Sequence, residues 1–453
     1  MNLAYNVKDK PSFGKLIVFA FQQLLAILAA TIAVPAIINS SEDLAVFWAA
    51  NPGAQMSPSA ALFGAGVGTL VYLLFTKFKS PVFLGSSFAF IGSMIAAFAG
   101  AASAAAGYVG IIIGAAIAGL VYVIIAVIVK IAGVKWINAI MPAVVIGPTV
   151  AIIGLSLAGN AVGDLKVGKI SGCSPYVALV CGLVTLFTVI ICSVYGKKMA
   201  KLIPFIIGIF AGYAVASIFT VIGIMTNNVS LQVIDFSVFK ELSIFSVPEF
   251  TFTHLAEGVK QVDAKFIATV AVAYAPVAFV VFAEHIADHK NLSTIIGAEL
   301  LEEPGLHRTL LGDGIGSMAG AFFGGCPNTT YGESVGCVAI TGNASVVTIL
   351  TTAFMAIAIS FFDPFVTFLA SIPNCVMGGV CITLYGFIAV SGLKMLQKVD
   401  LGKNRNLFVA AVILIAGIGG LTVSFGGIQI TAIACALILG IIVNAILPKD
   451  KAE

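Results

Sequence analysis

The feature that most restricts the fold of this chain is the length of its uncharged stretches. No Asp, Glu, Lys or Arg occurs between Ser80 and Val129. Of all 453 residues, 60% are hydrophobic and only 9% are charged, whereas soluble domains carry roughly 25% charged residues. Because about 20 consecutive apolar residues suffice for one crossing of a bilayer, the sequence predicts an integral membrane protein with many spans.

Apolar segments of this kind occur fourteen times along the chain. The longest polar stretch, residues 226–263, separates the first seven segments from the last seven and is expected to be an external loop. The predicted spans are residues 14–38, 57–76, 81–99, 106–129, 136–159, 174–195, 202–225, 264–287, 308–323, 327–341, 344–370, 373–393, 406–424 and 429–447.

The basic residues predict the orientation of these spans. With the N-terminus in the cytoplasm and every segment crossing, 18 of the 23 Lys and Arg residues lie inside. The outside then holds only Lys166, Lys169, Lys240, Lys260 and Lys265. The positive-inside rule therefore predicts cytoplasmic N- and C-termini and an even number of spans. Twelve spans, with the third and tenth segments as re-entrant loops, satisfy the same rule.

Around the start of the tenth segment, the stretch Gly324–Ser334 does not suit an uninterrupted helix. Pro327 lacks an N–H group, and the glycines of the stretch favour other backbone shapes. Non-helical backbone at membrane depth is tolerated only where protein buries it or where it lines a wet cavity. A helix that starts near Gly332 would direct free N–H groups and a positive dipole end into that cavity, beside Glu333. The stretch therefore predicts a substrate site.

The third segment repeats this pattern, because Leu84–Phe90 also places glycine and serines before an apolar helix. Paired broken segments in corresponding halves are typical of transporters built on inverted repeats. The predicted fold class is therefore an all-α polytopic membrane protein with 14 transmembrane segments in two inverted seven-segment repeats, of which segments 3 and 10 are broken. The alternative for the third segment is a small-residue patch for close helix contact.

Four acidic residues lie at membrane depth, namely Glu284, Asp288, Asp313 and Glu333. An ionised group there costs roughly 2.5–3.5 kcal/mol on insertion scales, so such residues indicate function. Glu284 and Asp288 are four residues apart and share one helix face, and a carboxyl group that accepts a proton near neutral pH is what a proton-coupled carrier requires. The alternative for Asp288 is a solvated position at the cytoplasmic helix end. Asp313 is either a member of a proton relay or a partner for nearby polar backbone.

Other polar side chains give weaker indications. Gln22 and Gln23 in the first segment suit a ligand, a broken segment or a helix–helix contact equally. His285 and His289 lie near the acids, but we expect no metal, because a metal site needs tighter convergence of ligands. The eight cysteines lie mostly in apolar segments without CxxC pairs and are expected to be core residues. The sequence contains no nucleophile motif or cofactor loop, so we expect neither an enzyme nor a cofactor, and its net charge of +3 does not indicate nucleic acid.

The predicted site offers a defined set of hydrogen-bonding groups. Helix N-termini near Phe88 and Gly332 supply backbone donors, Glu284 and Glu333 supply acceptors, and Phe88 supplies an aromatic face. Uracil, a planar ring with two N–H donors and two C=O acceptors, matches this set. A bare anion would be repelled by the acids unless they were protonated, and a sugar would require more side-chain amides and a Trp platform.

At these residues the chain resembles the nucleobase:cation symporter-2 family, also called nucleobase–ascorbate transporters, and within it the bacterial uracil permeases. The similarity extends over most of the chain. The motifs that carry it are Leu84–Phe90 (LGSSFAF), Phe282–Asp288 (FAEHIAD), Glu303–Gly314 (EPGLHRTLLGDG), Pro327–Gly336 (PNTTYGESVG) and Val376–Gly386 (VMGGVCITLYG).

The resemblance implies a core domain formed by residues 14–130 and 264–370, and a gate domain formed by residues 136–225 and 373–447. It also implies that the third and tenth segments each pair a short antiparallel β-strand with a half-helix, with the ligand between the two half-helices. A homodimer joined through the gate domain, which is common in the family, is a further expectation that the residues themselves do not address.

The resemblance implies roles for single residues as well. The carboxylates would bind the ring nitrogens of uracil, while the backbone amides at Phe88 and Gly332 would bind its carbonyls. Phe88 would pack on the ring, Tyr331 would support the site, and Tyr385 would close it from the gate side. The implied substrate-binding residues are Phe88, Glu284, Tyr331, Gly332, Glu333 and Tyr385, and those for proton coupling are Glu284, Asp288 and Asp313.

Three positions refine the resemblance. Purine-type members have Gln followed by Asn where this chain has Glu333 and Ser334, which favours a pyrimidine over xanthine or urate. Some uracil permeases have a proton-coupling His where this chain has Asp288. An Asp can still carry a proton, and His289 lies about 100° around the helix, so it does not take over that role. Gln23 stands where some members have His, so a hydrogen-bonding role could persist there but a titrating one could not.

The sequence therefore predicts a secondary active transporter that imports uracil by proton symport across the cell (inner) membrane. The alternatives are a purine (xanthine or urate) permease of the same family and an anion exchanger or channel of similar fold. A basic residue where the half-helices cross would indicate an anion protein, and the sequence around Phe88 and Glu333 contains none.

Overall fold

The computed structural model describes residues 3–133, 142–197, 199–240, 242–425 and 428–448. Within these ranges the chain is predominantly helical, with four short strands. The elements are α1 Phe13–Ser40, α2 Ala45–Ala50, α3 Pro58–Phe75, β1 Leu84–Ser86, α4 Ile91–Ala99, α5 Ala104–Ala132, α6 Ala143–Ser156, α7 Ala158–Asp164, α8 Pro175–Tyr195, α9 Met199–Leu202, α10 Pro204–Met225, α11 Leu255–Gly258, α12 Ala264–Ile296, α13 Leu306–Gly324, β2 Asn328–Thr330, α14 Gly332–Thr341, α15 Val346–Ile359, α16 Asp363–Ser371, α17 Asn374–Leu396, α18 Asn404–Ile418, β3 Val423–Phe425, β4 Ile428–Ile430 and α19 Ala432–Ile446.

Eight membrane-length apolar helices occur in the described ranges, where α6 and α7 count as one interrupted helix. The other seven are α1, α3, α5, α8, α10, α12 and α17. Shorter apolar helices cover residues 88–99, 346–359, 404–418 and 432–446. Because apolar helices satisfy all of their backbone hydrogen bonds internally, this bundle suits a bilayer, and the predicted class of a polytopic helical membrane protein is confirmed.

Several predicted segment boundaries differ from the structure. The thirteenth segment was expected to be helical to residue 424, but α18 ends at Ile418, after which Gly420 adopts a positive φ of 69°. A hairpin of β3 and β4 follows, so the last helix starts at Ala432 and not at residue 429. The eleventh segment divides into α15 and α16. The predicted start of the fifth segment, residues 136–141, lies outside the described residues.

Both predicted interruptions are present, and they meet. Strands β1 and β2 pair antiparallel, with Leu84 opposite Thr330 and Ser86 opposite Asn328. A short turn of 3₁₀ helix, Phe88–Phe90, leads from β1 into α4, and β2 leads directly into α14. The two strands satisfy each other's backbone groups at a depth where water is not available to do so. The pairing therefore places the starts of two short helices side by side.

Close helix contact holds this crossing in place. A Cβ atom on Gly316 of α13 would lie 2.8 Å from the carbonyl oxygen of Gly68 on α3, which is closer than real Cβ contacts allow. The glycines thus let the two helix backbones touch. The Asn328 side chain fills the space beside them and donates a hydrogen bond to the Gly64 carbonyl at 3.0 Å. This bond fastens strand β2 to helix α3.

The helices form two sets by their packing. The first helix group consists of α1, α3, α5, α12, α13 and α15, which pack against one another. The second helix group consists of α6, α7, α8, α10, α17, α18 and α19, which likewise pack together. The strand crossing and the half-helices α4 and α14 pack on the first group. A cavity lies where the two groups face each other.

The long polar stretch between α10 and α12 contacts both groups. Near its start, the Val233 N–H group donates to Thr220 Oγ1 of α10 at 3.0 Å, whereas residues 249–263 fold over one end of the first group. Its Phe250 ring lies 4.8 Å from that of Phe63 on α3, measured between ring centroids. His254 stacks on Tyr108 of α5 at a centroid distance of 4.4 Å and an interplanar angle of 9°. Residues 249–263 are therefore a cap held on the first group by aromatic contacts, a role that the sequence did not predict.

Candidate substrate site

A cavity of about 370 Å³ lies between the two helix groups. One wall is polar and comes from the strand crossing, α12 and the start of α14. The opposite wall is mostly apolar and comes from α6, α10 and α17. The lining residues are Phe88, Ala89, Glu284, Ala287, Asp288, Thr329, Tyr331, Gly332 and Glu333 on the polar side, and Val150, Ile153, Phe205, Leu384, Phe387, Ile388, Ser391 and Met395 on the other.

The structure brings most of the predicted site residues to this cavity. Phe88, Glu284, Asp288, Tyr331, Gly332 and Glu333 all line it. Tyr385 does not line it, but its ring meets that of Phe88 edge-on at a centroid distance of 6.2 Å. Asp313 lies apart from the cavity, on the far side of α12. The roles assigned to these residues stay predictions.

The start of α14 points a helix N-terminus at the cavity. Its first intrahelical contact runs from the Val335 N–H group to the Tyr331 carbonyl at 3.2 Å, so the amides of residues 332–334 precede the hydrogen-bonded ladder. A Cβ atom on Gly332 would lie 3.7 Å from Asp288 Oδ1. The absence of a side chain at Gly332 therefore leaves the amide groups open to a ligand and close to a carboxylate.

Asp288 is tied to the strand crossing. The Thr330 hydroxyl group donates a hydrogen bond to Asp288 Oδ2 at 2.9 Å. Helix α12 continues past Asp288 to Ile296, so this residue is not at the helix end, and the alternative of a solvated terminal position is wrong. The sequence did not single out Thr330, although a threonine directly before the predicted half-helix was a usable signal.

Buried hydrogen bonds brace the two broken segments. Gln23 Nε2 donates to Ser334 Oγ at 2.5 Å, and the Phe83 N–H group donates to the same oxygen at 3.0 Å. The Tyr331 hydroxyl group donates to the Ser86 carbonyl at 2.8 Å. Of the alternatives for Gln23, the structure supports contact with a broken segment, and Tyr331 contacts both the cavity and strand β1.

Asp313 belongs to a buried pair that the sequence did not reveal. His285 Nδ1 lies 2.8 Å from Asp313 Oδ2, and His285 Nε2 lies 2.9 Å from Thr309 Oγ1. Both members of the pair are at most 1% exposed. His285 follows Glu284 by one residue, which rotates its side chain by about 100° around the helix and away from the cavity. The pair therefore links α12 to α13 behind the carboxylate wall.

His289 extends this network toward α3. Its Nδ1–H group donates to the His285 carbonyl at 2.8 Å, and its Nε2 atom lies 2.7 Å from the Tyr72 hydroxyl group. Tyr72 in turn contacts Ser80 Oγ at 2.7 Å. The described His, Cys, Asp and Glu residues include no cluster arranged for a metal ion. Two histidines at positions i and i+4 were the available signal for this network.

These features define a class of protein. A helical bundle of membrane length with a carboxylate-lined cavity at a double helix break is the architecture of a transport protein. Residues 14–425 match the model of a permease family. The chain belongs to this family, the nucleobase:cation symporter-2 permeases, and it is not an enzyme.

Curated relatives match over nearly their whole length. The uracil permease of Bacillus caldolyticus is 39% identical over 446 residues, which cover 98% of this chain and 94% of that protein. The uracil permease of Bacillus subtilis (strain 168) is 37% identical, with coverages of 99% and 96%. The uracil permease of Escherichia coli (strain K12) is 32% identical, with coverages of 97% and 92%.

Solved structures share the fold at lower identity. The transmembrane domain of a cyanobacterium bicarbonate transporter, BicA, superposes with a TM-score of 0.58 at 18% identity and covers 97% of this chain and 100% of that one. Murine Solute Carrier 26 family member A9, an anion transporter in the inward-facing state, gives 0.61 at 11% identity, with coverages of 97% and 68%. At these identities the likeness shows the fold alone.

Proposed function

We propose that this protein imports uracil by proton symport across the cell (inner) membrane. The observation that carries the proposal is the polar wall of the cavity, where Glu284 and Glu333 lie beside the start of α14 and the ring of Phe88. These groups complement a planar ring with alternating N–H and C=O groups. The relatives named uracil permeases support the same substrate.

The binding mode follows from the chemistry of the wall. Glu284 and Glu333 accept hydrogen bonds from the two ring N–H groups, and the amides at Phe88 and Gly332 donate to the two carbonyls. The Phe88 ring packs on the uracil ring, and Tyr385 closes the site through its contact with Phe88. Support comes from the convergence of these residues, because backbone donors at a helix start are fixed in place before the ligand arrives.

Proton coupling is assigned to the acids. Two carboxylates in an apolar setting are costly when both are charged, so a proton on Glu284, passed on through Asp288, neutralises the site for a neutral ligand. Asp313 takes part from behind through His285, which is one helix position from Glu284. The proton leaves toward the cytoplasm first, and the release of uracil follows this deprotonation.

Movement of two domains provides alternating access in this proposal. The core domain comprises residues 14–130 and 264–370, the gate domain comprises residues 136–225 and 373–447, and their fourteen segments form two inverted repeats. The antiparallel pairing of β1 with β2, at corresponding places in the two halves, supports the repeats. The distribution of basic residues supports cytoplasmic termini. A homodimer through the gate domain is included in the proposal by resemblance alone.

The rival functions differ at identifiable residues. A purine permease is disfavoured by Glu333 and Ser334, because the resemblance assigns Gln and Asn to those places in purine carriers. The structural neighbours are anion transporters, but none of the residues that line the cavity is Lys or Arg. An anion would meet carboxylates there, which disfavours an anion exchanger or channel.

Uptake of radiolabelled uracil by cells that lack their own permease tests the proposal. Wild type, Glu333→Gln and the exposed surface variant Glu302→Gln would be compared across a pH series, with and without a protonophore. We expect uptake that rises at acid pH, collapses with the protonophore, disappears in Glu333→Gln and is retained in Glu302→Gln. Xanthine uptake without uracil uptake would establish the purine function instead. Dependence on Na⁺ without dependence on pH would overturn proton symport.

A further inference from the structure

A second cavity, of about 470 Å³, lies between the same two helix groups. Helix α17 contributes to the walls of both cavities. Asn374, Met377 and Cys381 line the second cavity, whereas residues between Leu384 and Met395 line the first cavity, which contains Glu284 and Glu333 and which we call the carboxylate cavity. With a rise of about 1.5 Å per residue, these stretches occupy opposite ends of one helix. We call the second cavity, at the Asn374 end of α17, the outer cavity.

The two cavities are separated where the helix groups touch. Tyr385 follows Cys381 by four residues and therefore lies one helical turn further along the same face. Its ring meets that of Phe88, in the turn of 3₁₀ helix between β1 and α4, which packs on α12 of the first helix group. A molecule in the outer cavity thus reaches the carboxylate wall only if the two groups move apart at this level.

One polar contact at the outer cavity joins the two groups directly. Ser40 is the last residue of α1 in the first group, and Asp164 is the last residue of α7 in the second group. The Ser40 hydroxyl group lies 3.2 Å from Asp164 Oδ2, and both residues line the cavity. The same hydroxyl group lies 3.3 Å from the Ile37 carbonyl within its own helix.

Asp164 is also held from its own side. It interacts with the Asn374 side chain at the start of α17, in the second helix group. It packs against α17 at Gly378, where an added Cβ atom would lie 3.0 Å from the Asp164 Cβ atom. The position of Asp164 is therefore fixed within the second group, and among the described residues only its hydrogen bond to Ser40 crosses to the first group.

We propose that Asp164 is the outer gating residue, whose hydrogen bond to Ser40 holds the two helix groups together at the outer cavity. This bond must break before the carboxylate cavity can open toward that end. Ser40 retains a partner after separation because its hydroxyl group turns fully to the Ile37 carbonyl. Asp164 retains its hydrogen bond to the Asn374 side chain. The contact is thus reversible, as a gate requires. The proposal rests on the proposed transport by movement of the two groups.

A reversible cross-link tests the gate. The double variant Ser40→Cys/Asp164→Cys would be oxidised in membranes, and disulfide formation would be verified by mass spectrometry. We expect uracil uptake to be abolished by oxidation and restored by dithiothreitol. The matched control is Asp164→Cys/Asn374→Cys, which joins residues of one group and should leave the uptake of the reduced variant unchanged when oxidised. The three single variants, Ser40→Cys, Asp164→Cys and Asn374→Cys, report any contribution of the native cysteines.

Two outcomes would overturn the proposal: failure of the Ser40–Asp164 pair to cross-link, or a verified cross-link with undiminished uptake. Both differ from a failure of the proposed function, in which wild type itself takes up no uracil.

A second measurement tests the gate without uracil. Ser391→Cys, in the wall of the carboxylate cavity, would be labelled with a membrane-impermeant maleimide from each side of the membrane. Adding Ser40→Ala should raise labelling from the outer side severalfold, and unchanged labelling would contradict the gate.

Discussion

The Thr330 hydroxyl group donates a hydrogen bond to Asp288 Oδ2 across 2.9 Å, and this bond joins α12 to strand β2. Helix α12 carries Glu284, and β2 leads into the half-helix that carries Glu333. One side-chain contact therefore couples the two acids of the candidate site. We expect the distance between those acids, and with it the fit of a planar ring, to depend on this bond.

Replacing Thr330 should weaken uracil binding more than it weakens folding. A typical hydrogen bond contributes about 0.5–1.5 kcal/mol, so Thr330→Val is expected to raise the KM for uracil uptake by up to about tenfold. Thr330→Ser keeps the hydroxyl group and should behave nearly as wild type. The measurement is uptake kinetics at equal protein levels in the membrane. A wild-type KM in Thr330→Val would show that the bond does not position the acids.

Asp313→Asn should separate transport from binding. The amide keeps the size of the side chain and a hydrogen bond to His285, but it cannot take up or release a proton. We expect binding of uracil to purified protein to stay within about twofold of wild type, while proton-driven accumulation falls by at least about tenfold. Asp363→Asn, which alters an acid outside the cavity, is the control. Equal loss of binding and accumulation would assign Asp313 a structural role only.

Gly316→Ala should destabilise the strand crossing. The added methyl group would lie 2.8 Å from the Gly68 carbonyl, and overpacking of this kind costs about 1–3 kcal/mol. We expect a lower thermal unfolding midpoint in detergent and less protein in the membrane. Gly14→Ala is the matched control, because a Cβ atom there meets nothing within 4 Å. An unchanged midpoint for Gly316→Ala would mean that α3 and α13 can separate without cost.

The cap formed by residues 249–263 should loosen at acid pH. Burial lowers the pKa of His254, which lies outside the membrane spans and stacks on Tyr108. The folded cap therefore binds a proton less readily than the unfolded cap, whose histidine titrates at about 6.5. The contribution of His254 to the stability of the cap is constant above that value and falls as the pH decreases from it to the lowered pKa of the folded state.

Hydrogen exchange of the cap at about pH 5 and about pH 7.5 measures this effect, because the two values lie on either side of the ordinary histidine pKa. After correction for the intrinsic pH dependence of exchange, wild type should lose protection at the lower pH. His254→Phe keeps an aromatic ring on Tyr108 and removes the titrating group, so its protection should not depend on pH. The same acid loss of protection in both proteins would assign the effect to another group.

The candidate site was largely predictable from the sequence, although the roles of its residues remain predictions. Acids at membrane depth are conspicuous because they are costly there, and this pointed to Glu284, Asp288 and Glu333, all of which line the cavity. The same rule found Asp313 but not its location, because the cost of an acid says nothing about the direction in which its side chain points. Its partner His285 was visible in the sequence, but the pairing was not.

The sequence by itself determined the membrane class and the two breaks in the helices. Both depend on local properties, since apolar length and the backbone limits of Gly and Pro act within a few residues. Only the tertiary structure decided the pairing of β1 with β2, the contact of Thr330 with Asp288 and the bond between Ser40 and Asp164. These contacts join residues far apart in the chain. They depend on the distance between packed helices. Contacts at glycines set this distance, and those contacts exist only once the chain has folded.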